Sequence, residues 1–376
     1  MASKPRAGRA PLAQSLRRDP PRGSRAGLIA KYRSLLPVGP KTPVITLLEG
    51  GTPLVPAPRF SAALGLRPEC VLLKLEGLNP TGSFKDRGMT LAVSKAVEGG
   101  ARGVLCASTG NTAASAAAYA ARAGLRCAVL LPAGGVAAGK LVQAFMHKAE
   151  VLAVRGNFDE ALSLARAAAQ RTGWILVNSL NPFRLEGQKT GAFEIVEDLG
   201  RAPDYQFMPV GNAGNITAYW MGYRQWHGLH KSGLPRMMGW QAKGAAPLVL
   251  GRPVEHPKTI ASAIRIGKPA SGDRALEAAR DSGGSIGAVS DAEILSAYRL
   301  LAATEGVFCE PSSAAGAAGL IRFAEGGGLR RAPKTLRIVC ILTGNGLKDP
   351  DTPMTLKHRL REIPADEKAL AKALRS

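Results

Sequence analysis

Val71-Leu72-Leu73-Lys74-Leu75 and, four residues on, Asn79-Pro80-Thr81-Gly82-Ser83-Phe84-Lys85-Asp86-Arg87 decide how this chain folds. The first is a short, mostly apolar run of the kind that forms a strand covered on both faces. The second is a shaped turn. Pro80 and Gly82 bend the chain, and Thr81 or Ser83 can cap the helix that follows. Lys85 then falls near a helix start, where the helix dipole disfavours a cation. Two readings are open at this point: a surface lysine followed by an Asp86/Arg87 ion pair, or a Schiff-base lysine whose neutral amine is favoured by nearby positive potential.

The same strand-then-helix grammar continues outward. Gly103–Ala107, Cys127–Leu131, Val151–Val154, Ile175–Val177, Gln206–Val210 and Arg337–Leu342 read as strands. Thr112–Arg122, Leu141–Lys148, Asp159–Gln170 and Ser312–Phe323 read as helices, several of them rich in alanine. Such alternation predicts an α/β architecture with parallel sheets, whose ligands bind beyond the carboxyl ends of the strands. Three further strand-to-helix turns are chemically unusual. Ser108-Thr109-Gly110-Asn111-Thr112 can aim N–H groups and hydroxyls at a carboxylate, or simply cap a helix. Gly211-Asn212-Ala213-Gly214-Asn215, before a helix over Ile216–Tyr223, is a phosphate cradle by composition. It is neither a Walker A loop nor G-x-G-x-x-G. Thr343-Gly344-Asn345-Gly346 closes the last strand and offers a hydroxyl there. Glu310-Pro311-Ser312-Ser313 precedes a small-residue helix; it lines the pocket, or Ser312 or Ser313 caps that helix.

The 376 residues, 45% of them apolar, suffice for two lobes with sizeable cores. No run reaches the roughly 18 apolar residues of a membrane span, and no secretory h-region is present. Five cysteines without a C-x-x-C pair argue against a disulfide scaffold or a zinc site and for the cytoplasm. The net charge of +22 invites a nucleic-acid reading. The basic residues are spread out without interleaved aromatics, however, so neither a nucleic-acid nor a membrane partner is expected. Residues 1–24 read as a disordered basic tail, which fits an organelle transit peptide or a non-native start equally. Residues 356–376 read as a C-terminal helical segment.

Taken together, the four turns resemble the fold-type II pyridoxal-phosphate (PLP) enzymes, the relatives of tryptophan synthase β. Gly211–Asn215, Asn178-Ser179-Leu180-Asn181-Pro182-Phe183-Arg184-Leu185-Glu186-Gly187-Gln188-Lys189-Thr190, Leu47–Leu54, Arg155–Asp159 and Ala263–Gly267 are similar to the threonine synthase family in particular. The resemblance runs from about residue 27 to 352. It implies a two-lobed catalytic region over 25–355, with the smaller lobe over roughly 86–180 and each lobe an open, mostly parallel sheet flanked by helices. It implies PLP as cofactor, Lys85 as its Schiff-base lysine and the base at Cα, and Phe84, Asn111, Gly211, Asn212, Ala213, Gly214, Asn215 and Thr343 as its other contacts. Ser108, Thr109 and Thr112 would hold the substrate carboxylate. The implied substrate, O-phospho-L-homoserine, needs a second anion site; Arg184 is the best candidate, with Asn178, Ser179 and Lys140 behind it. The resemblance also implies a homodimer. Rival readings are a threonine or serine dehydratase-like lyase of the same fold and a non-catalytic relative.

Overall fold

A computed structural model describes residues 26–133, 141–330, 333, 335–356 and 362–374. Two sheets organise the chain. Strands β1 (Leu54–Pro56), β2 (Val71–Leu75), β3 (Gly103–Ala107), β4 (Arg126–Pro132), β5 (Glu150–Val154), β6 (Trp174–Leu176), β7 (Tyr205–Pro209), β8 (Arg236–Ala242), β9 (Ser285–Val289) and β10 (Ile338–Leu342) divide into a six-stranded sheet, β1-β2-β10-β7-β8-β9, and a four-stranded sheet, β5-β4-β3-β6. Every pairing is parallel except β1 on β2. The expected strands appear within a residue or two of their expected ends. Sequence reading missed β1, β8 and β9. β10 is buried along its whole length between β2 and β7; each fully buried Val, Leu or Ile there contributes about 1.5–3 kcal/mol.

The helices that matter to the site are α1 (Lys85–Glu98), α2 (Asn111–Ala123), α3 (Phe158–Thr172), α4 (Pro182–Gln188), α5 (Thr190–Leu199), α6 (Gly214–His230) and α7 (Pro311–Glu325). Local chemistry sets several of their starts. Asn157 caps α3 in a reciprocal capping box with Glu160. Asn181 caps α4 through the Phe183 N–H, with Pro182 at the first helical position. A helix over Glu367–Leu374 lies in the C-terminal segment. The basic tail over 1–24 lies outside the described residues.

Asp86 and Arg87 do not form the surface ion pair that adjacency suggests. Both are fully buried and point apart. Asp86 accepts from the Thr81 N–H (2.7 Å), the Thr81 hydroxyl (2.6 Å) and Ser115 Oγ (2.6 Å). Arg87 is gripped by Glu76 (Nε to Oε2, 2.6 Å; Nη2 to Oε1, 2.7 Å) and by Glu194 (Nη2 to Oε2, 2.6 Å; Nη1 to Oε1, 2.9 Å). Lys74, also fully buried, adds a second cation 2.9 Å from Glu194. Two cations and two carboxylates thus neutralise each other away from water. They join β2, the first turn of α1 and α5. The Leu47–Leu54 segment is wired to the same group: the Gly51 N–H donates to Glu194, and Thr52 Oγ1 donates to Glu76.

Removing one member of such a cluster strands the opposite charge in the interior, which costs about 3–5 kcal/mol. Arg87→Met is therefore expected to lower unfolding stability by that amount in urea denaturation. Arg299→Met, at an exposed position, should stay within about 0.5 kcal/mol. Equal midpoints for the two variants would contradict the assignment.

Candidate active site

The four singled-out turns all leave the carboxyl ends of parallel strands: β2, β3, β7 and β10. Main-chain bonds stitch two of them together. The Phe84 N–H donates to the Thr343 carbonyl at 2.9 Å, the Asn345 N–H donates to the Gly82 carbonyl at 2.9 Å, and Ser83 bridges Gly344. Cys309 bridges Asn345, and the Glu310 N–H donates to the Gly344 carbonyl at 3.0 Å. Lys85, Thr343 and Glu310 are thereby held on one floor by backbone rather than by flexible side chains.

Lys85 opens α1 and is partly buried, its Nζ 4.3 Å from the centroid of the Phe84 ring. Burial pushes its ammonium down to about 7; the Arg184 charge acts in the same direction, and Glu310 opposes both. This is the environment of a lysine that works as a neutral amine near neutral pH, and it is not that of a surface lysine. Arg184 is fully buried. Its Nη1 donates to the Val177 carbonyl at 2.8 Å, while Nε and Nη2 find no partner among the described residues. Burial lowers its pKa to about 10. A buried guanidinium with two idle donors is costly unless an anion meets it. Its place depends on Gly88 of α1, where a Cβ would lie 2.6 Å from Arg184 Nε.

The cradle has the features of an anion site. Ala213 adopts φ +65° just before α6, a left-handed conformation that is uncommon for a residue with a Cβ. No side chain caps α6, so the first N–H groups of this 17-residue helix lack helical acceptors. Both polar atoms of the Asn215 side chain are buried without a partner among the described residues. Gly211 has no room for a side chain, since a Cβ would lie 2.9 Å from Ile264 Cα. The Asn212 side chain accepts from the Ala270 N–H at 3.3 Å, which docks the segment after Ala263–Gly267 against the loop. An amine of lowered basicity, a glycine-built anion cradle at an uncapped helix start, and the buried polar side chains of Asn111 and Thr343 fit a phosphorylated aldehyde such as PLP.

On the four-stranded sheet, α2 likewise lacks a side-chain cap, so the ordinary-cap reading of 108–112 does not hold. Ser108 Oγ accepts from the Gly110 N–H at 3.2 Å, and Thr109 and Thr112 are half-buried beside it. Asn111 is buried and donates to Glu310. Asn178 is used structurally: its amide pairs with both the N–H and the carbonyl of Ala107, at 2.9 Å each. That leaves one of its N–H groups for a ligand. Ser179 is half-buried next to it. Lys140 lies outside the described residues. The capping reading of Ser312 and Ser313 fails too. Ser312 Oγ accepts from the Ala263 N–H, and Ser313 Oγ meets Thr343 Oγ1 at 2.9 Å, with no side chain capping α7. What sequence reasoning underrated is Glu310; its signal was an acid just before a small-residue helix.

Fold and site together define a PLP-dependent enzyme. Residues 45–344 match the family model for pyridoxal-phosphate dependent enzymes, and the chain belongs to that family. Among its relatives are threonine synthases. It is 60% identical to threonine synthase of Synechocystis sp. over 326 residues, 86% of this chain and 84% of that one. It is 58% identical to threonine synthase of Mycobacterium leprae over 352 residues, 93% and 96% of the two chains. Among solved structures, maize serine racemase superposes with a TM-score of 0.68 at 21% identity, covering 86% of this chain and 91% of that one, which shows the shared fold.

The lowered basicity of Lys85 can be read without cofactor. Competitive acetylation of the PLP-free protein should give Lys85 a reactivity that climbs with pH and levels off with a midpoint near 7. Arg184→Met should move that midpoint upward, because a repelling charge is gone. A midpoint in the range of an exposed lysine would contradict the environment described.

Proposed function

We infer that this chain is a threonine synthase, converting O-phospho-L-homoserine and water to L-threonine and phosphate. One observation carries the assignment of the substrate: Arg184, buried with two unpaired donors, faces the charge of Lys85 from the helix beside the cradle. A PLP enzyme acting on a substrate without phosphate has no use for a second anion site there.

When bound, PLP supplies the electron sink that acidifies the carbon-bound protons of the substrate. The chain's own residues do the rest. The α6 N-terminus and Gly211, Asn212, Ala213, Gly214 and Asn215 would hold the cofactor phosphate, and Phe84, Asn111 and Thr343 would hold its ring. Thr343 would offer the ring a neutral hydroxyl, which does not enforce a charge on it as a carboxylate would. Ser108, Thr109, Thr112 and the free N–H groups of α2 receive the substrate carboxylate. Arg184, with Asn178, Ser179 and Lys140, receives the substrate phosphate, which Arg can grip at two oxygens. Lys85 Nζ takes the proton at Cα. Loss of a Cβ proton then expels phosphate from Cγ with the electron pair of the C–O bond. Water adds its oxygen to Cβ, and protons return to Cα and Cγ to leave threonine.

This reading places the smaller lobe at roughly 86–180, around the four-stranded sheet. It takes the enzyme as a cytoplasmic homodimer that binds no nucleic acid. The five cysteines, all free and buried, suit a reducing compartment. No helix among the described residues is long and apolar enough to cross a membrane.

The purified protein should release phosphate from O-phospho-L-homoserine and form threonine in equal amount. Faster conversion of threonine to 2-oxobutyrate would favour the dehydratase reading instead. Arg184→Lys, which keeps the charge but loses the fork, should lower kcat/KM for the phosphorylated substrate by about 30-fold or more, the lower end of the 2–5 kcal/mol lost when a buried charge-paired hydrogen bond is broken. An unchanged kcat/KM would remove Arg184 from the phosphate site.

A further inference from the structure

Glu310 is a fully enclosed carboxylate that the reaction as written leaves idle. Its Oε2 and Oε1 accept from Asn111 Nδ2 at 3.0 and 3.3 Å, and Oε1 also accepts from Thr343 Oγ1 at 3.4 Å. Asn111 is the first residue of α2, which follows β3 of the four-stranded sheet, and Thr343 directly follows β10 of the six-stranded sheet. One acid therefore touches a ring contact from each sheet. The main chain fixes its place through the Glu310–Gly344 hydrogen bond and the Cys309–Asn345 bridge. Gly344 leaves the carboxylate its space, since a Cβ there would lie 2.5 Å from Glu310 Cδ.

The consequences follow from donor and acceptor chemistry. An ionised carboxylate only accepts. Asn111 must then turn Nδ2 toward Glu310, which leaves Oδ1 and the second N–H for a ligand. The Ser313 hydroxyl accepts from the Gly344 N–H at 2.9 Å and has two neighbours that can take its hydrogen, Thr343 Oγ1 at 2.9 Å and the Gly344 carbonyl at 3.4 Å. With Ser313 donating to Thr343, the Thr343 hydrogen is left for Glu310 Oε1, at 3.4 Å, or for a ligand. Lys85 and Lys348 are the cations facing the acid. Lys348 is anchored by the Thr81 carbonyl at 3.1 Å and Gln143 Oε1 at 3.3 Å.

We propose that Glu310 is a positioning residue for the cofactor, whose single carboxylate orients Asn111 and Thr343 together so that the ring contacts of the two sheets act as a pair. The inference rests on the reading of Asn111 and Thr343 as PLP contacts. It predicts energetic coupling in cofactor binding, which a residue serving only stability would not show.

The test is a double-mutant cycle on the PLP dissociation constant, measured by titrating the full PLP-free chain. Glu310→Ala and Asn111→Ala should each weaken binding about 10-fold, the size of one well-placed hydrogen bond. The double variant should bind clearly more tightly than the product of the two losses, because the part of the Glu310 effect that runs through Asn111 is already gone and only the part through Thr343 remains. Losses that multiply, to about 100-fold in the double variant, would overturn the inference while leaving the cofactor site intact. Asn111→Ala with unchanged affinity would overturn the cofactor-site reading and this inference with it. Glu310→Gln keeps the test available if the alanine variant does not fold. Its amide oxygen still accepts from Asn111, so affinity within about 3-fold of the parent is expected, and a loss of about 10-fold contradicts the inference.

Discussion

The buried Arg87 guanidinium is the constraint on which the site depends. It sits two residues after Lys85, on the first turn of the same helix, and is held from two sides by Glu76 and Glu194. A charge that cannot leave the interior fixes the rotation of α1 about its axis. Once Arg87 and Asp86 point to their separate buried partners, Lys85 is left on the side of Phe84, Arg184 and Glu310. The cluster does not need to add net stability to do this. Buried ion groups are weak evidence of stability, and fixing one arrangement is their better-attested use.

The second determinant is the parallel topology. Four strands of two sheets release their turns at their carboxyl ends; the turns before α2 and α6 open their helices without a side-chain cap, whereas Asn345 caps the short helix after the last strand. Where an ordinary helix would use a serine or asparagine side chain, α2 and α6 leave their N–H groups open. Arg184 and Asn215 add buried polar atoms that the protein itself does not satisfy. A fold seldom leaves so many unmet hydrogen-bonding groups together without a ligand to meet them.

Much of this was legible in the sequence, for identifiable reasons. β2 and β3 were read at their full extent because strands covered on both faces are nearly uninterrupted apolar runs. β8 was missed because Gly239 and Gln241 break such a run, β9 because Ser285-Ile-Gly-Ala-Val is short and small, and β1 because it is a three-residue edge piece ending in Pro56. The turn residues could be found because unusual composition marks them. Pairing over distance left no such mark. Glu194 lies 107 positions from Arg87, and Glu310 lies 199 from Asn111. Adjacency even misled, since Asp86 and Arg87 are neighbours in sequence with unrelated partners. Asn178 stands behind Arg184 as a phosphate candidate, and the sequence carries no mark of its pairing with the backbone of Ala107, which leaves it one N–H.

The identity of the cofactor lysine can be tested most directly by borohydride reduction of the PLP-loaded protein, followed by digestion and location of the phosphopyridoxyl group. The expected result is a single labelled peptide carrying the group on Lys85, with no label in Lys85→Ala. Label on Lys348 or Lys74, or a Lys85→Ala protein labelled as fully as the parent, would contradict the account.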